Sequence, residues 1–582
     1  MFKLNTFLVF YFVFLSCMSL QAQKISESLL EEAQNKPFLN CILEFKSLNL
    51  LTIIPSNLTK EEKARLAFRL LKEHLEHEAG TTLTFVASKG IMYRLNNLTS
   101  SIFLENLPKA LLSELAKIPG IQRISNNPTS HVEKLQDEYP LSPRSEYSWG
   151  LIMTRTDSVH RMNIMGQNAV IGGNDTGFDW THPLIQRKYR GWNDGAPDHN
   201  YNWHDGIHAN SPLSDTSSVN PCGLNLPYPC DDNSHGTHTM GTMTGSLGDS
   251  LILGMAPEAK WIATRNMERG NGSLASYLEC LEWFLAPTDI ENKNPKPELA
   301  PDVINNSWYC SAEEGCNPDN WHLMLQAVDN LVASGVVVVI SAGNDGPGCE
   351  TIKWAPNISE NAIIVGATAP NDTIARFSSR GLVTVDSTFR QKPDVSAPGV
   401  YVMSSIPGNK YAYFSGTSMA GPHVTGLVAL LISANPLLRG QVDTIKSIIQ
   451  RTAVHKFSDQ ECTGISGMSY PNPVYGYGRI DALAAVEAAL AWKPLSATRE
   501  LNALHFSVYP NPVSNELYVK LSESHGSGQI EVFNGMERRM ITRTIETNDN
   551  LIDVSLENIP PGLLVVRISM DNKTAIQKII KL

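Results

Sequence analysis

The sequence predicts an α/β fold: a large domain built on a parallel β-sheet, preceded by a smaller α+β module and followed by a small β-sandwich. Three observations support this prediction. Strand-like runs alternate with helical patterns through the middle of the chain, where Val336 to Ile340 is a β-branched run typical of a central parallel strand. An earlier segment carries strand, helix, strand, strand, helix and strand, which is the ferredoxin-like order. The last part carries short strands separated by Gly, Pro and Asn.

Composition and charge limit the classes of function. The chain has 582 residues, too many for one hydrophobic core, so we expect three or four domains. Hydrophobic residues make up 42% of the chain and charged residues 18%, which is ordinary for a soluble globular protein. The formal net charge is −11, and this acidic balance argues against a nucleic-acid partner.

Residues 1–22 have the pattern of a secretory signal peptide. Lys3 supplies the positive charge, the apolar run from Phe7 to Leu15 is too short to span a bilayer, and Ala22 is a small residue suited to cleavage. Cys17 also fits a lipoprotein site, but Phe14 three residues before it disfavours that alternative. We therefore expect an exported protein.

Residues 24–135 form the predicted α+β module. Cys41 to Phe45 has the pattern of a strand, and Thr59 with Glu62 forms a capping box that opens a helix. A polar stretch from His131 to Glu146 then leads into the large domain, which we place at residues 145–492.

The stretch from Phe414 to Gly426 contains the first candidate for chemistry. Ser418 lies between Gly416 and Gly421, and an apolar run long enough for a buried helix follows. We expect the serine at a helix N-terminus, where unpaired N–H groups and the helix dipole favour negative charge. Because small residues before a helix are usually only a cap, Ser418 also needs a base and an orienting acid to act as a nucleophile.

Two further motifs supply that base and that acid. His235 stands in Asp-Asn-Ser-His-Gly-Thr-His-Thr-Met-Gly, and Asp175 follows a short apolar strand pattern in Asn-Asp-Thr-Gly-Phe-Asp. An imidazole can take the serine proton, and a carboxylate fixes the tautomer of that imidazole. The order along the chain is Asp, His, Ser, and the serine stands in Gly-Thr-Ser-Met-Ala. The Gly-x-Ser-x-Gly elbow of α/β-hydrolases is therefore absent.

These three motifs resemble those of the subtilisin-like serine proteases, the subtilases. The resemblance covers roughly residues 145–490, and three motifs in the family's order rarely occur together by chance. Within the family the chain looks most like the bacillopeptidase F type, on the segments Lys260 to Arg265 and Asp302 to Trp308. The resemblance implies a subtilisin-like parallel-sheet catalytic domain whose triad is Asp175, His235 and Ser418.

The resemblance also implies an oxyanion donor and a substrate cleft. Asn344 would donate to the developing oxyanion, although without the triad it would be read as a turn residue. An extended peptide would pair with the main chain just before a predicted helix, and the strand ending at Ser307 would flank the side-chain pocket. Trp308 and Tyr309 replace the Leu-Gly of many relatives, which leaves the preference of that pocket open. The implied substrate-binding residues are Gly270, Asn271, Gly272, Ser273, Ser307 and Trp308.

No cofactor is expected from the sequence. Calcium is common in the family, and many members carry an Asp directly after His-Pro, but His182-Pro183 is followed here by Leu184, so calcium sites stay unassigned. A polar loop holds three residues that could be read as metal ligands, although a solvated loop is the simpler interpretation: His204, Asp205 and His208. Two other motif histidines are given no catalytic role: His238 and His423.

The nine cysteines fit an exported chain. Cys17 leaves with the signal peptide and Cys41 lies in the α+β module, so at least one of the remaining seven is unpaired. Cys280 lies in a helical pattern and is expected to be a buried thiol. Cys222 with Cys230, and Cys310 with Cys316, are close enough in sequence to form bridges, and Cys349 with Cys462 could form a third; the sequence leaves the connectivity open.

Residues 493–504 are the predicted linker and residues 505–582 the predicted β-sandwich. Tyr-Pro-Asn-Pro at Tyr509 to Pro512, Asn-Gly, Pro-Gly and a terminal Lys-Ile-Ile-Lys resemble the C-terminal sorting domain of the type IX secretion system. A binding or stabilising module with the same strand pattern is the alternative.

Together these expectations describe a secreted serine endopeptidase that cleaves peptide bonds through an Asp-His-Ser triad and an acyl-enzyme intermediate. Its expected partners are protein or peptide substrates, its own residues 24–135 as an inhibitory prosegment, and the type IX secretion machinery. It would reach the cell surface or the medium through the periplasm. An inactive subtilisin-fold binding protein is the alternative, which degraded motifs would have favoured, and an esterase is a third option.

Overall fold

The computed structural model describes residues 24–131, 136–137, 147–193, 195–215, 217, 219–310, 316–494, 506–521, 527–534, 538–545, 551–570 and 573–581. The predicted signal peptide and most of the predicted linker lie outside these residues. The chain divides into two compact units, Met1–Trp492 and Lys493–Leu582, and each is treated by itself.

The first part of the larger unit confirms the ferredoxin-like order. Its four antiparallel strands lie in the order β2-β3-β1-β4, so that the first and third strands are central. The predicted capping box of Thr59 and Glu62 opens a long helix. The second predicted helix is shorter than expected, because a 3₁₀ turn replaces its start and Pro119-Gly120 follows it. The elements are α1 (Glu27–Asn35), β1 (Phe38–Glu44), α2 (Lys60–Ser88), β2 (Met92–Asn96), β3 (Ser101–Pro108), α3 (Leu112–Leu115) and β4 (Arg123–Asn126).

A seven-stranded parallel sheet forms the centre of the larger unit and confirms the predicted α/β class. The strand order is β15-β14-β13-β12-β7-β9-β8. The predicted β-branched run is the buried strand β13, which suits a sheet covered on both faces. The strands are β7 (Val170–Asp175), β8 (Trp203–Asp205), β9 (Lys260–Arg265), β12 (Val303–Asn306), β13 (Val337–Ser341), β14 (Ile363–Thr368) and β15 (Val395–Pro398).

Helices cover this sheet, and a largely buried one carries the candidate serine. Helix α9 is long and apolar enough to cross a membrane, but 83% of it is buried inside the fold, so it is a core helix. The helices are α4 (Trp149–Met153), α5 (Thr156–His160), α6 (His235–Thr244), α7 (Leu274–Leu285), α8 (Trp321–Ala333), α9 (Thr417–Ala434), α10 (Val442–Thr452) and α11 (Ala482–Ala491).

Small sheets join segments that are distant in sequence. Strand β5, which follows the ferredoxin-like module, pairs with β11, and β6 pairs with β17. The remaining strands of the larger unit are β5 (Thr129–His131), β6 (Gln136–Asp137), β10 (Met267–Glu268), β11 (Asn271–Ser273), β16 (Val402–Ile406), β17 (Lys410–Phe414), β18 (Glu461–Cys462) and β19 (Ile465–Ser466).

All three candidate cysteine pairs form disulfides, and two described cysteines remain free thiols. The bridge of Cys349 and Cys462 joins residues 113 positions apart. Cys280 is buried, as expected, and burial raises the pKa of its thiol.

The smaller unit is a β-sandwich, as predicted. A three-stranded and a four-stranded antiparallel sheet enclose one apolar core. Its strands are β20 (Phe506–Tyr509), β21 (Glu516–Leu521), β22 (Gly528–Asn534), β23 (Arg539–Ile545), β24 (Leu551–Ser555), β25 (Gly562–Met570) and β26 (Lys573–Lys581).

Candidate active site

The candidate site lies at the carboxyl edge of the parallel sheet. Asp175 is the last residue of β7, Ser307 directly follows β12, and Asn344 comes three residues after β13. These three strands are neighbours in the order β7-β12-β13, so their ends meet at one edge. Ligands of open α/β sheets bind beyond such carboxyl ends, which makes this edge the first place to look for chemistry.

Gly177 lets the chain turn away from β7 directly after Asp175. Its φ is +110°, and a Cβ there would overlap the carbonyl oxygen of Cys230. Only glycine adopts this conformation without a clash. The glycine of the Asp-Thr-Gly motif therefore fixes the position at which the Asp175 strand ends.

A half-buried carboxylate caps the helix that begins with His235. Asp231 accepts hydrogen bonds from the N–H groups of Asn233, Ser234 and Thr237. The Thr176 hydroxyl donates to Asp231 and accepts from the N–H of Gly236. Because Thr176 follows Asp175, the start of α6 is tied to the end of β7, and the two candidate residues are held side by side.

Asp175 and His235 are in direct contact. The Nδ1 atom of His235 lies 2.7 Å from Asp175 Oδ1, which also accepts the N–H of Thr176 at 2.8 Å. Burial alone would lower the pKa of His235, but the charge and hydrogen bond of Asp175, with the charge of Asp231, raise that pKa above its usual range. The carboxylate therefore stabilises the charged imidazole and fixes the proton on Nδ1, which leaves Nε2 to accept a proton.

Ser418 is the second residue of α9, and a proline further along this helix frees its carbonyl. Pro422 has no N–H to bond the carbonyl four residues before it, which is that of Ser418. The Ser418 carbonyl instead accepts the Ser307 hydroxyl at 2.9 Å. This bond ties the start of the helix to the end of β12.

The Ser418 hydroxyl donates to the carbonyl of Ser307 at 3.1 Å. Its hydrogen bond therefore goes to the end of β12 and not to His235. Catalytic hydrogen bonds often tighten only when a substrate is bound, and a rotation of the serine side chain would break the Ser307 bond. The structure thus brings the aspartate and histidine of the expected triad together and places the serine hydroxyl in a different hydrogen bond.

Two donors converge beside Ser418. The Oδ1 atom of Asn344 accepts both the N–H and the hydroxyl of Thr417, at 2.9 and 3.0 Å. These two hydrogen bonds fix the orientation of the Asn344 amide, so its Nδ2 group lies on the side away from Thr417. A Cβ built on Gly416 would lie 3.6 Å from the Ser418 nitrogen and 3.8 Å from Asn344 Nδ2, so both N–H groups border the same small space. Two N–H donors beside one space suit a developing oxyanion.

The expected cleft strand is formed and already paired. Strand β11 pairs antiparallel with β5, with Asn271 opposite His131, Gly272 opposite Ser130 and Ser273 opposite Thr129. Gly270 precedes this strand with a φ of +88°. The edge that the sequence assigned to an extended peptide thus carries an extended segment of the same chain.

Trp308 lies beneath the cleft and not on its surface. Its ring stacks on Tyr277 with centroids 3.9 Å apart, its Nε1 donates to the Asn174 carbonyl, and only 2% of the residue is exposed. A Cβ at Gly272 would meet the same Tyr277 ring. Trp308 therefore packs against Tyr277, which lies under Gly272, and is buried in this form of the chain.

Two residues that the sequence analysis did not single out, Asp345 and Thr417, lie next to Asn344. The half-buried carboxylate of Asp345 lies 3.4 Å from the Tyr309 hydroxyl and 3.3 Å from Trp354 Nε1. Thr417, which holds Asn344, was also missed, although its place between Gly416 and Ser418 was a signal. Nothing local in the sequence indicates the contact with Trp354, because the chain must fold to bring it there.

The other histidines have structural partners. His238 is stacked on Phe414 and lies near two backbone carbonyls, and burial lowers its pKa to about 3. His423 lies beside the Met419 carbonyl, and burial lowers its pKa to about 4. Neither contacts Asp175 in the described structure.

The residues of the polar loop are divided between two partners. Asp205 pairs with Arg265, whereas His204 and His208 both contact the carboxylate of Glu279. The simpler interpretation of a solvated loop is wrong for His204 and Asp205, because both are buried. Among the described residues no group of three or more His, Cys, Asp or Glu side chains is arranged to hold a metal ion, so calcium stays unassigned.

Comparisons with known proteins match two parts of the chain to known families. Residues 166–478, more than half of the chain, match the model of the subtilase family, and residues 507–582 match that of the secretion system C-terminal sorting domain. Bacillopeptidase F of Bacillus subtilis is 34% identical over 398 residues, which cover 65% of this chain and 25% of that protein. The serine protease AprX of the same organism is 32% identical, with 44% and 58% covered, and subtilisin E is 29% identical, with 57% and 70% covered.

The histidine environments predict a specific titration. We expect the His235 signal to titrate above the usual histidine range, and those of His238 and His423 to stay neutral down to about pH 5. Asp175→Asn should lower the pKa of His235 and leave that of His423 unchanged, because it removes the charge that favours the imidazolium of His235. NMR of the chain labelled at histidine measures all three. A His238 signal that titrates near pH 6.5 would contradict the assignment.

Proposed function

The chain belongs to the subtilase family, and we propose that it is a secreted serine endopeptidase. The observation that carries the proposal is the contact of Asp175 with His235 at the same sheet edge as Ser418 and Asn344. The curated relatives support a peptidase, although the chain spans only 25% of the length of bacillopeptidase F and 58% of AprX. Triad motifs with an intact acid–base contact favour an enzyme over an inactive binding protein.

In the proposed reaction His235 is first a base and then an acid. The Ser418 hydroxyl leaves the Ser307 carbonyl, gives its proton to His235 Nε2, and its oxygen attacks the peptide carbonyl carbon. Asp175 stabilises the imidazolium. His235 then gives the proton to the leaving amine, which yields an acyl-enzyme. Water, deprotonated by the same imidazole, hydrolyses the acyl-enzyme and restores Ser418.

The negative charge of the tetrahedral intermediate would be held by the two convergent donors. Asn344 Nδ2 and the Ser418 N–H border the same space, and Thr417 keeps the Asn344 oxygen turned away from it. Donors fixed in advance need no reorganisation when the charge develops, which is why they act mainly in the transition state.

An extended polypeptide is the proposed substrate. Strand β11 already accepts an antiparallel segment of the chain, and main-chain pairing of this kind recognises extended peptides of many sequences. An esterase would have no use for such an edge. The pairing therefore favours peptide bonds as the substrate class.

We also propose that residues 24–135 are an inhibitory prosegment. Strand β5 pairs with β11, and β6, directly after residues 24–135, pairs with β17, which leads to Ser418. The chain of the precursor therefore occupies two strand edges near the site. Residues 132–135 connect these strands and lie outside the described residues. The mature enzyme would begin between Val132 and Trp149.

Active-site labelling tests the enzyme proposal. We expect the purified mature protein to hydrolyse casein, and a fluorophosphonate to label Ser418 and block that hydrolysis. Ser418→Ala should lose both labelling and hydrolysis. Ser433→Ala, on the same helix with its hydroxyl bonded to Gln167, is the matched control and should retain both. Absence of label on Ser418 would reject the enzyme, and ester turnover without peptide cleavage would favour an esterase.

Asn344→Ala should lower kcat by about 10²–10³ with little change in KM, a magnitude established on subtilisin and applied here by analogy. The reason is that the amide donates mainly in the transition state. Steady-state peptide hydrolysis measures the effect, with Asn361→Ala as the control, since Asn361 bonds Asp329 away from the site. A loss of less than about tenfold would remove Asn344 from the role.

The smaller unit is the proposed export signal. The match of residues 507–582 to a sorting domain supports a location at the cell surface or outside the cell. All candidate catalytic residues lie before Trp492, and the unit has a core of its own. Catalysis should therefore not need this unit.

Truncation after Trp492 should leave catalysis intact and strand the protein in the periplasm. Activity in periplasmic and extracellular fractions measures this, with the full chain and its Ser418→Ala variant as controls. If the unit were a stabilising module, the truncated protein would melt at a lower temperature and lose activity. Normal amounts of active truncated enzyme outside the cell would reject the export role.

A further inference from the structure

The strand edge proposed for the substrate belongs to a very short hairpin. Strands β10 and β11 have two and three residues, and their register places Glu268 opposite Asn271. In the precursor the outer edge of β11 also pairs with β5. Once β5 is removed, a two-stranded hairpin remains, and such a hairpin is marginally stable without further contacts. The edge of β11 therefore needs other contacts to stay extended for a substrate.

The turn of this hairpin is held by Asp232. Arg269 and Gly270 form the turn, and their φ values of +51° and +88° are both positive, as in a type I′ turn. This conformation is uncommon for arginine. The N–H of Arg269 donates to Asp232 Oδ1 at 2.8 Å, and Asp232 lies three residues before His235. The segment that leads to the proposed base therefore also fixes the turn beside the substrate strand.

Asp232 is itself held by a fully buried arginine. Its Oδ2 lies 3.2 Å from Arg265 Nη1, and neither side chain is exposed to solvent. Arg265, the last residue of β9, also donates to both carboxylate oxygens of Asp205 at 2.9 Å and to the carbonyl of Gly223 at 2.7 Å. Buried charges are stable only when they are paired in this way. The carboxylate of Asp232 is therefore fixed where the N–H of Arg269 meets it.

A second contact reaches β11 through Ser214. Asn271, the first residue of β11, donates from Nδ2 to Ser214 Oγ at 2.9 Å. The Ser214 hydroxyl donates to Oε2 of Glu268 on β10, a residue that is 1% exposed. Glu268 Oε2 also accepts the N–H of Ser211 at 3.2 Å. The loop between β8 and α6, residues 206–234, thus bridges the two strands of the hairpin.

This loop is fixed to the sheet by contacts that do not involve β5. The disulfide of Cys222 and Cys230 closes its middle part. The N–H of Leu226 donates to Oδ2 of Asp205, the last residue of β8, at 2.6 Å. The carbonyl of Cys230 accepts the N–H of Phe178, three residues after the end of β7, at 3.2 Å. The loop is therefore tied to β7 and β8, and these ties remain when β5 is removed.

We infer that Asp232 and Ser214 are positioning residues for an extended substrate. They hold the hairpin of β10 and β11 so that the edge left by β5 is already extended when a peptide arrives. This inference rests on the proposed function. An edge fixed in advance lowers the entropy that ordering it would cost on binding. Three residues of β5 pair with β11, so a substrate uses this edge only if several residues precede the cleaved bond.

Substrate length separates this role from a role in the chemistry. The mature protein is assayed with a peptide that has four residues before the cleaved bond, and with the acetylated ethyl ester of the last of those residues. The ester is too short to pair along β11. Asp232→Ala should lower the ratio of kcat/KM for the peptide to kcat/KM for the ester about tenfold, mainly through KM, because the N–H of Arg269 loses a charged acceptor.

Two further variants and a control sharpen the test. Asp232→Asn should recover most of the ratio, because its amide oxygen still accepts the N–H of Arg269. Ser214→Ala should lower the ratio several-fold. Asp329→Ala is the matched control, since half-buried Asp329 bonds Asn361 away from the site, and its ratio should not change. If Asp232→Ala does not accumulate as folded protein, Ser214→Ala decides the test.

Ratios of Asp232→Ala and Ser214→Ala equal to that of the control would overturn the inference. Equal losses on the peptide and the ester would also overturn it, because they would place Asp232 in support of His235 and not of β11. Both results require that the unsubstituted protein hydrolyses both substrates. An unsubstituted protein that hydrolyses neither substrate, or only the ester, would reject the proposed function, and the inference would fall with it.

Discussion

The hydrogen bond between Asp175 and His235 is the constraint on which the rest of the site depends. It requires a carboxylate that is 1% exposed, and such a group is stable only when donors surround it. The N–H of Thr176 and the imidazole supply those donors at 2.8 and 2.7 Å. Both distances follow from the junction of β7 and α6, which Gly177 and the Asp231 cap hold in place.

The serine side of the site is held by backbone groups that lack their ordinary partners. Pro422 leaves the Ser418 carbonyl without a helical N–H partner. The hydroxyl of Ser307, at the end of the neighbouring strand, donates to that carbonyl instead. Thr417 similarly uses its N–H and hydroxyl to hold Asn344. The first turn of α9 therefore joins β12 and β13, while Asp175 stands on β7 beside them. The parallel sheet therefore brings the ends of β7, β12 and β13, which are distant in sequence, to one edge.

Local patterns in the sequence identified the three motifs, the strand before Asp175, the helix after Ser418 and the ferredoxin-like order, because periodicity, caps and glycines act over a few residues. Contacts between distant segments could not be predicted this way. The cap by Asp231, the stacking of Trp308 on Tyr277 and the burial of Lys60 beside Asp302 each depend on the folded chain. Trp308 shows the difference most clearly, since its position beside the strand end suggested a pocket residue and its ring lies below the cleft.

The pH dependence of Ser418 acylation tests the central claim most directly. The rate of reaction with a fluorophosphonate should rise as pH increases through the raised pKa of His235, because only the neutral imidazole accepts the serine proton. Asp175→Asn should slow the reaction by about 10⁴ and move its midpoint to lower pH. A rate that does not depend on pH, or that Asp175→Asn leaves unchanged, would contradict the account.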